Sequence, residues 1–383
     1  MAPGVRHGRR AVLAGLAAGA ALPAIAPAAP MVAPRAAASP GLAPVPLRLS
    51  LNENPFGPSP AAARALAAAL PQVNRYGDQA AVDVLLDRIV ALEGVAREQI
   101  VLGEILAPLG LFLAAGAAAG APAGGRFVYS APGYTALVDA GRPLGAVPVG
   151  VPLDAALRND LPALSRAATG DTRALYLVNP HNPSGTTNDP ASFERFLREV
   201  SARTLVVVDE AYLEYDDMRR SAVALTRAGA NVAVFRTLDK IYGLAGLPVG
   251  YLLAPRALAG ALRATGLADP HDIGRLALAA AAGALGDQDW VRQVRGRIVA
   301  GRTRLTATLD RLGLRHSDSH ANFVFFQVSP TEHGGADRFR RRLAEQGLLV
   351  GKPFPPLNDW IRISVGTEAE VSRTIAALQA SAG

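Results

Sequence analysis

A lysine, a carboxylate and a turn amide are spaced along this chain as if to meet in one place. Lys240 lies in RTLDKIYGLAGLPVGY (236–251), Asp209 closes the apolar run TLVVVDEAY (204–212), and Asn182 sits in the proline-rich turn of LYLVNPHNPSG (175–185). Asn182 and Asp209 are 27 residues apart and Asp209 and Lys240 are 31 apart. Each interval is about the length of one strand–helix–strand unit. In an open parallel sheet ligands bind beyond the carboxyl ends of the strands. Three successive strand ends would therefore bring these side chains to one crevice.

A lysine amine beside a carbonyl cofactor forms a Schiff base, and pyridoxal phosphate also needs an acid that keeps its ring nitrogen protonated. Lys240 and Asp209 fit those two roles. Asn182 and Tyr212, three residues beyond Asp209, would donate to the ring's phenolic oxygen. Tyr134, after the Pro-Gly turn of YSAPGYTAL (129–137), would stack on the ring face. Alone, each residue has a plainer reading: a solvated lysine, an aspartate that caps or turns the chain, a turn asparagine, a packed aromatic. Their joint order and spacing favours the cofactor.

The elements that must position these groups follow from pattern. Strand-like runs near 126–130, 146–151, 174–179, 204–209, 231–236 and 249–254 alternate with helical stretches, which predicts a mainly parallel sheet covered on both faces. Ser59 and Pro60 read as the cap and first residue of an alanine-rich helix that Pro71 ends. A second helix starts near Asp78 and carries Val82, Leu85, Leu86, Ile89 and Leu92 on one face before Gly94. A helical region over about 273–311 leads to strands at 322–328 and 359–365, the pattern of a smaller α+β domain. The expected organisation is an arm and small-domain part at 39–77, a large cofactor domain at 78–289 and a small domain at 290–383.

Longer motifs add a resemblance. LSLNENPFGPSP (49–60), NRYGD (74–78), NPHNPSG (179–185), VVVDEAYLEY (206–215), the Lys240 segment, HANFVFF (320–326) and WIRISVGT (360–367) resemble, in that order, the fold-type I pyridoxal phosphate enzymes. Within them the match is to class I/II aminotransferases similar to histidinol-phosphate aminotransferase, and it runs from about Leu49 to about Leu378. The resemblance implies an α/β fold with a mainly parallel seven-stranded sheet in the large domain, plus a smaller α+β domain. It implies a homodimer acting on an amino donor and a keto acid acceptor. Arg362 resembles the arginine that binds the substrate α-carboxylate through a bidentate fork. Tyr76 resembles the tyrosine that reaches the neighbouring subunit's cofactor phosphate, and Asn54 lies in the segment that borders the substrate.

Three departures fall on the phosphate. VLGEILAPLG (101–110) passes from Gly103 directly into Glu104 where relatives have a longer glycine-rich loop with a hydroxyl residue. Asp239 stands where a serine commonly precedes the lysine, and Pro248 where an arginine commonly follows it. The expectation is that the cofactor still binds in a rearranged pocket, with backbone N–H groups at the helix start after Gly103 and Glu104 taking the anion, helped by Tyr76 or Lys352.

The first 38 residues differ in kind from the rest. No Asp or Glu precedes Glu53, and Arg6, Arg9 and Arg10 lead into an Ala/Leu/Gly-rich run, the layout of a twin-arginine export signal cleaved after Ala38. A periplasmic enzyme is expected, which argues against a role in cytoplasmic histidine synthesis. The whole chain has 39 Lys and Arg against 32 Asp and Glu. Arg6, Arg9, Arg10 and Arg35 belong to the signal, so the mature chain is nearly balanced and does not read as a nucleic-acid binder. No second apolar run is long enough to span a membrane. The absence of cysteine excludes disulfides and thiolate metal sites, and the pair His316 and His320 reads as incidental. The leading function is transamination. Two rivals stay open: a decarboxylase or oxidase on the same scaffold, and a binding protein that has lost catalysis.

Overall fold

The computed structural model describes residues 46–116, 122–216, 221–266, 269–329, 331 and 334–382; the expected signal at 1–38 lies outside them. Eleven strands are described. The main sheet contains β2 (Ile100–Leu102), β3 (Gly125–Ala131), β4 (Ala146–Pro152), β5 (Thr172–Val178), β6 (Leu205–Asp209), β7 (Val232–Thr237) and β8 (Gly250–Leu253). Their order is β2-β8-β7-β6-β5-β3-β4. The run from β4 to β7 is parallel, whereas β8 lies antiparallel to both β7 and β2. The sequence pattern anticipated six of these strands. It missed β2, whose three residues are too short for a periodic signal, and it did not foresee the reversed direction of β8.

That reversal matters for position. A parallel neighbour would need a long crossover back to the far edge. An antiparallel one lets the β7–β8 connection, with Lys240, stay at the edge where β5 and β6 end. Asp209 pairs with Val178 on one side and Phe235 on the other, so the ends of β5, β6 and β7 are level.

Two smaller sheets complete the fold. β1 (Leu47–Leu49) pairs in parallel with β10 (Leu348–Val350), and β9 (Phe323–Gln327) pairs antiparallel with β11 (Trp360–Ser364). The described residues belong to one compact unit. The boundary expected at 289 and 290 falls inside the helix Gln288–Arg311, and the arm expected at 39–77 contributes β1 to the sheet of β10.

Helix starts follow the local code. Ser59 accepts the Ala62 N–H and Pro60 opens α1 (Pro60–Ala69); Asp78 accepts the Ala81 N–H to start α2 (Gln79–Glu93), which Gly94 ends in the left-handed region. Val82, Leu85 and Ile89 face inward as the spacing predicts, while Leu86 and Leu92 are only half-buried. Among the described residues no helix is long and apolar enough to cross a membrane.

Alternation along β6 and β7 sends successive side chains to opposite faces. Glu210 and Arg236 therefore turn away from Asp209 and Phe235. Arg236 is 1% exposed and lies 3.5 Å from Glu93, 3.2 Å from Glu210 and 3.1 Å from Glu214, all buried. Burial pushes Glu210 up to about 7 against the pull of Arg236. Replacing one partner of such a buried cluster leaves charges without compensation. Arg236→Met is expected to destabilise the protein by about 3–5 kcal/mol in denaturant titration at pH 8. The deficit should shrink on acidification, as the abandoned carboxyls take up protons.

Candidate active site

The ends of β5, β6 and β7 open on a cavity of about 240 Å³. Val178, Asp209, Phe235 and Thr237 line it from the strands, Asn182 and Tyr212 from the turns that follow β5 and β6, and Tyr134 from the turn after β3. Asp239 and Lys240 close it from the β7–β8 connection; Glu104, Leu106 and Ala107 do so from the start of α3 (Leu106–Ala114). The lysine, acid and amide predicted from sequence, with Tyr134 and Tyr212 but not Tyr76, are therefore in one place.

Asp209 is 2% exposed. Its Oδ2 accepts the Tyr176 hydroxyl at 2.8 Å and its Oδ1 the Ala211 N–H at 3.0 Å. Burial pushes its pKa up to about 6, opposed by those two donors and by the nearby Lys240 charge. It is thus ionised at neutral pH, poised to hold a proton on a basic ring nitrogen. Tyr212 accepts from Asn52 Nδ2 at 3.1 Å and lies 3.5 Å from Asn182 Nδ2, and its ring stands edge-on to Phe323. Tyr134 is about half exposed and lines the cavity.

Arg362 does not line this cavity but reaches its rim. Its Nη1 donates to Asn182 Oδ1 and its Nη2 to the Ser50 carbonyl, 2.9 Å away. The guanidinium carbon lies 5.4 Å from the Phe323 ring centre and 5.1 Å from that of Phe354, a cation–π setting for a group only 9% exposed. Asn54 donates to the Ile241 carbonyl at 2.8 Å and so fixes the backbone beside Lys240; it lines an adjoining cavity of about 430 Å³ that also touches Asp239. Tyr76 is 88% exposed and absent from both cavities. Of the two histidines, His316 bonds to Asp310 and His320 to Asp216.

Sequence reasoning missed Asn52, Tyr176 and Thr237. Asn52 has a left-handed φ of 57° and clips the amino-terminal segment to Ser364 and Tyr212. A signal for the other two existed: residues two apart share a face, which puts Tyr176 with Val178 and Thr237 with Phe235.

The ring end of this site fits a pyridine cofactor, since amine, carboxylate, amide and phenol face one space. The helix start after Gly103, expected to take the anion, lines the cavity through Leu106 and Ala107. The Gly103 N–H is already bonded to the Gly250 carbonyl at 2.9 Å, and Gly103 does not line the cavity. Neither Pro248 nor Lys352 contributes, and among the described residues Lys240 is the only cationic side chain in the lining. Glu104 and Asp239 are there instead. Two unit charges about 4 Å apart repel by about 4 kcal/mol at an effective dielectric constant of about 20. A doubly ionised phosphate is strongly disfavoured beside both carboxylates.

Known proteins are similar to this chain in sequence and in fold. The family model "Aminotransferase class I and II" matches residues 44–378. Over 336 residues the chain is 35% identical to a histidinol-phosphate aminotransferase of Jannaschia sp. (strain CCS1), covering 88% of this chain and 91% of that one. An aromatic amino acid aminotransferase of Cutibacterium acnes is 33% identical, covering 87% and 91%. The solved histidinol-phosphate aminotransferase from Sinorhizobium meliloti, in complex with pyridoxal-5'-phosphate, superposes with a TM-score of 0.76 at 28% identity, covering 88% and 91%.

The raised pKa of Asp209 sets a stability test. Its folded pKa lies above the unfolded 3.8, so its contribution is fully present below 3.8 and is lost as pH rises through about 6. Ionised Asp209 therefore costs the empty protein up to about 3 kcal/mol at pH 8. Asp209→Asn should remove that cost. The difference in unfolding free energy between variant and parent should be constant above about pH 7 and shift toward the parent on acidification to about pH 4.

Proposed function

The chain belongs to the aminotransferase class I and II family and is a pyridoxal-phosphate-dependent transaminase, and on that premise we propose how its own residues divide the work. The observation that carries the proposal is that Lys240 and Asp209 share one cavity with Asn182, Tyr212 and Tyr134. When bound, the cofactor supplies the carbonyl that takes the amino group and the ring that stores electrons released at the substrate's α-carbon.

Asp209 holds the proton on the ring nitrogen, and burial removes the water that would compete for it. Asn182 and Tyr212 would donate to the phenolic oxygen, and Tyr134 would cover one ring face. Lys240 would hold the cofactor through its carbonyl, and its Nζ would carry a proton to and from the substrate's α-carbon. Arg362 receives the substrate carboxylate, pre-aligned by Asn182, Ser50 and the two phenylalanine rings. The substrates are an amino acid or amine and a keto acid. The relatives acting on histidinol phosphate and on aromatic amino acids mark the range of donors the scaffold supports.

Two further parts of the reading concern the protein's setting. We infer a homodimer in which Tyr76, exposed and outside the lining of its own cavity, serves the partner's site. We also infer export to the periplasm by the arginine-led segment at 1–38. Fractionation of cells expressing the full chain should place it in the periplasm, and Arg9→Lys with Arg10→Lys should retain it in the cytoplasm.

Transamination is tested by half-reactions. Purified protein loaded with pyridoxal phosphate should convert to the pyridoxamine form when an amino donor is added and revert with a keto acid. Oxygen uptake or carbon dioxide release without that conversion would favour an oxidase or a decarboxylase. Lys240→Ala should lower turnover by at least ~10²-fold. Arg362→Lys should raise KM for carboxylate-bearing donors while leaving simple amines little affected.

A further inference from the structure

A phosphorylated pyridine ring makes two demands on a cavity, and the charges that line this one meet only the first. Asp209 is matched by the proton on the ring nitrogen, and Lys240 is committed to the carbonyl. Glu104 and Asp239 are left over. Asp239 is half-buried, and its Oδ1 is buried without a hydrogen-bond partner, so no donor offsets the charge at that oxygen. The backbone N–H groups nearby are spent as well. That of Asp239 donates to Thr237 Oγ1 at 3.1 Å and that of Gly103 to the Gly250 carbonyl at 2.9 Å.

The direction in which a phosphate arm leaves the ring does not change this balance. The adjoining cavity shares Asp239 and adds Glu53 and Glu370 against Arg48. Arg48 is already taken by Glu53, with Nη2 at 2.5 Å and Nε at 3.1 Å from its two carboxylate oxygens. Glu370 accepts only a backbone N–H, that of Thr367, at 2.7 Å. Among the described residues, both cavities that Asp239 lines therefore carry more acid than base.

We infer that this cavity recognises the pyridoxal ring and not its phosphate, so that the ring without a phosphate binds at least as tightly as the phosphate ester. The inference rests on the transaminase reading above and narrows the ligand class within it. The chemistry draws on the aldehyde, the ring nitrogen and the phenolic oxygen, and the phosphate takes no part in storing electrons. The sign of the salt dependence separates the two cases. Salt weakens an anion held by cations, whereas here it screens a repulsion and strengthens binding.

The test titrates the full-length protein at about pH 8, where a phosphate ester is doubly ionised. One ligand is pyridoxal phosphate. The other is 5'-deoxypyridoxal, which keeps the ring and aldehyde, has no phosphate and cannot close the internal hemiacetal of pyridoxal. Lys240 and Lys352 are the only lysines in the chain, so in a Lys352→Arg background visible absorbance reports on one lysine side chain. At about 0.05 M salt the Kd of the ester should equal or exceed that of the analogue. Raising salt to about 1 M should lower it at least about threefold while the analogue barely moves. Glu104→Gln and Asp239→Asn each remove one like charge and should each tighten the ester relative to the analogue by at least about fivefold. An ester that binds more than about tenfold tighter than the analogue in the parent, a Kd for the ester that rises with salt, or a ratio unmoved by both substitutions overturns the inference. If neither ligand produces the visible band, the transaminase reading falls too; if both do and the ester is strongly preferred, only this inference falls.

Discussion

The level, in-register ends of β6 and β7 are the constraint from which the rest of the site follows. Because Asp209 is paired with Phe235, strand alternation must send Asp209, Phe235 and Thr237 to one face of the sheet and Glu210 and Arg236 to the other. A slip of one residue would exchange them. A slip of β7 would bring Arg236 to the cofactor face and leave the buried ion cluster without its centre, and a slip of β6 would take Asp209 off that face. Catalytic geometry and core integrity are thus two faces of one pairing.

The buried cluster beneath the site explains why that pairing can be trusted to hold. Arg236 draws together Glu93 at the end of α2, Glu210 after β6 and Glu214 in the following turn. Such a cluster is costly to desolvate and its net contribution to stability is small. What it supplies is position. It ties three separate segments to the strand that leads into Lys240, while Asn54 ties the amino-terminal segment to the residue after it.

The acidic phosphate end stands apart from this framework. Glu104, Thr237 and Asp239 line the same cavity as the ring-binding groups Lys240, Asp209, Asn182 and Tyr212. A chain losing cofactor binding altogether would be expected to lose both ends together. Retention of one with alteration of the other points to a change confined to the phosphate end. It does not point to decay.

Much of this was legible in the chain itself. The order and spacing of Asn182, Asp209 and Lys240, with apolar runs before the first two, determined that three strand ends would converge, because strand periodicity and parallel topology leave few alternatives. Ser59, Asp78 and Gly94 determined helix ends by local hydrogen bonding alone. Tertiary structure decided what depends on contacts between distant segments. The reversed β8 is set by pairing with β2, a strand too short to show a pattern. Arg362 acquires its orientation from Asn182 and Ser50, far away in sequence. The spent N–H of Gly103 and the meeting of Glu104 with Asp239 arise the same way, since a hydrogen bond or a repulsion between segments about 135 residues apart exists only once the sheet has brought them together.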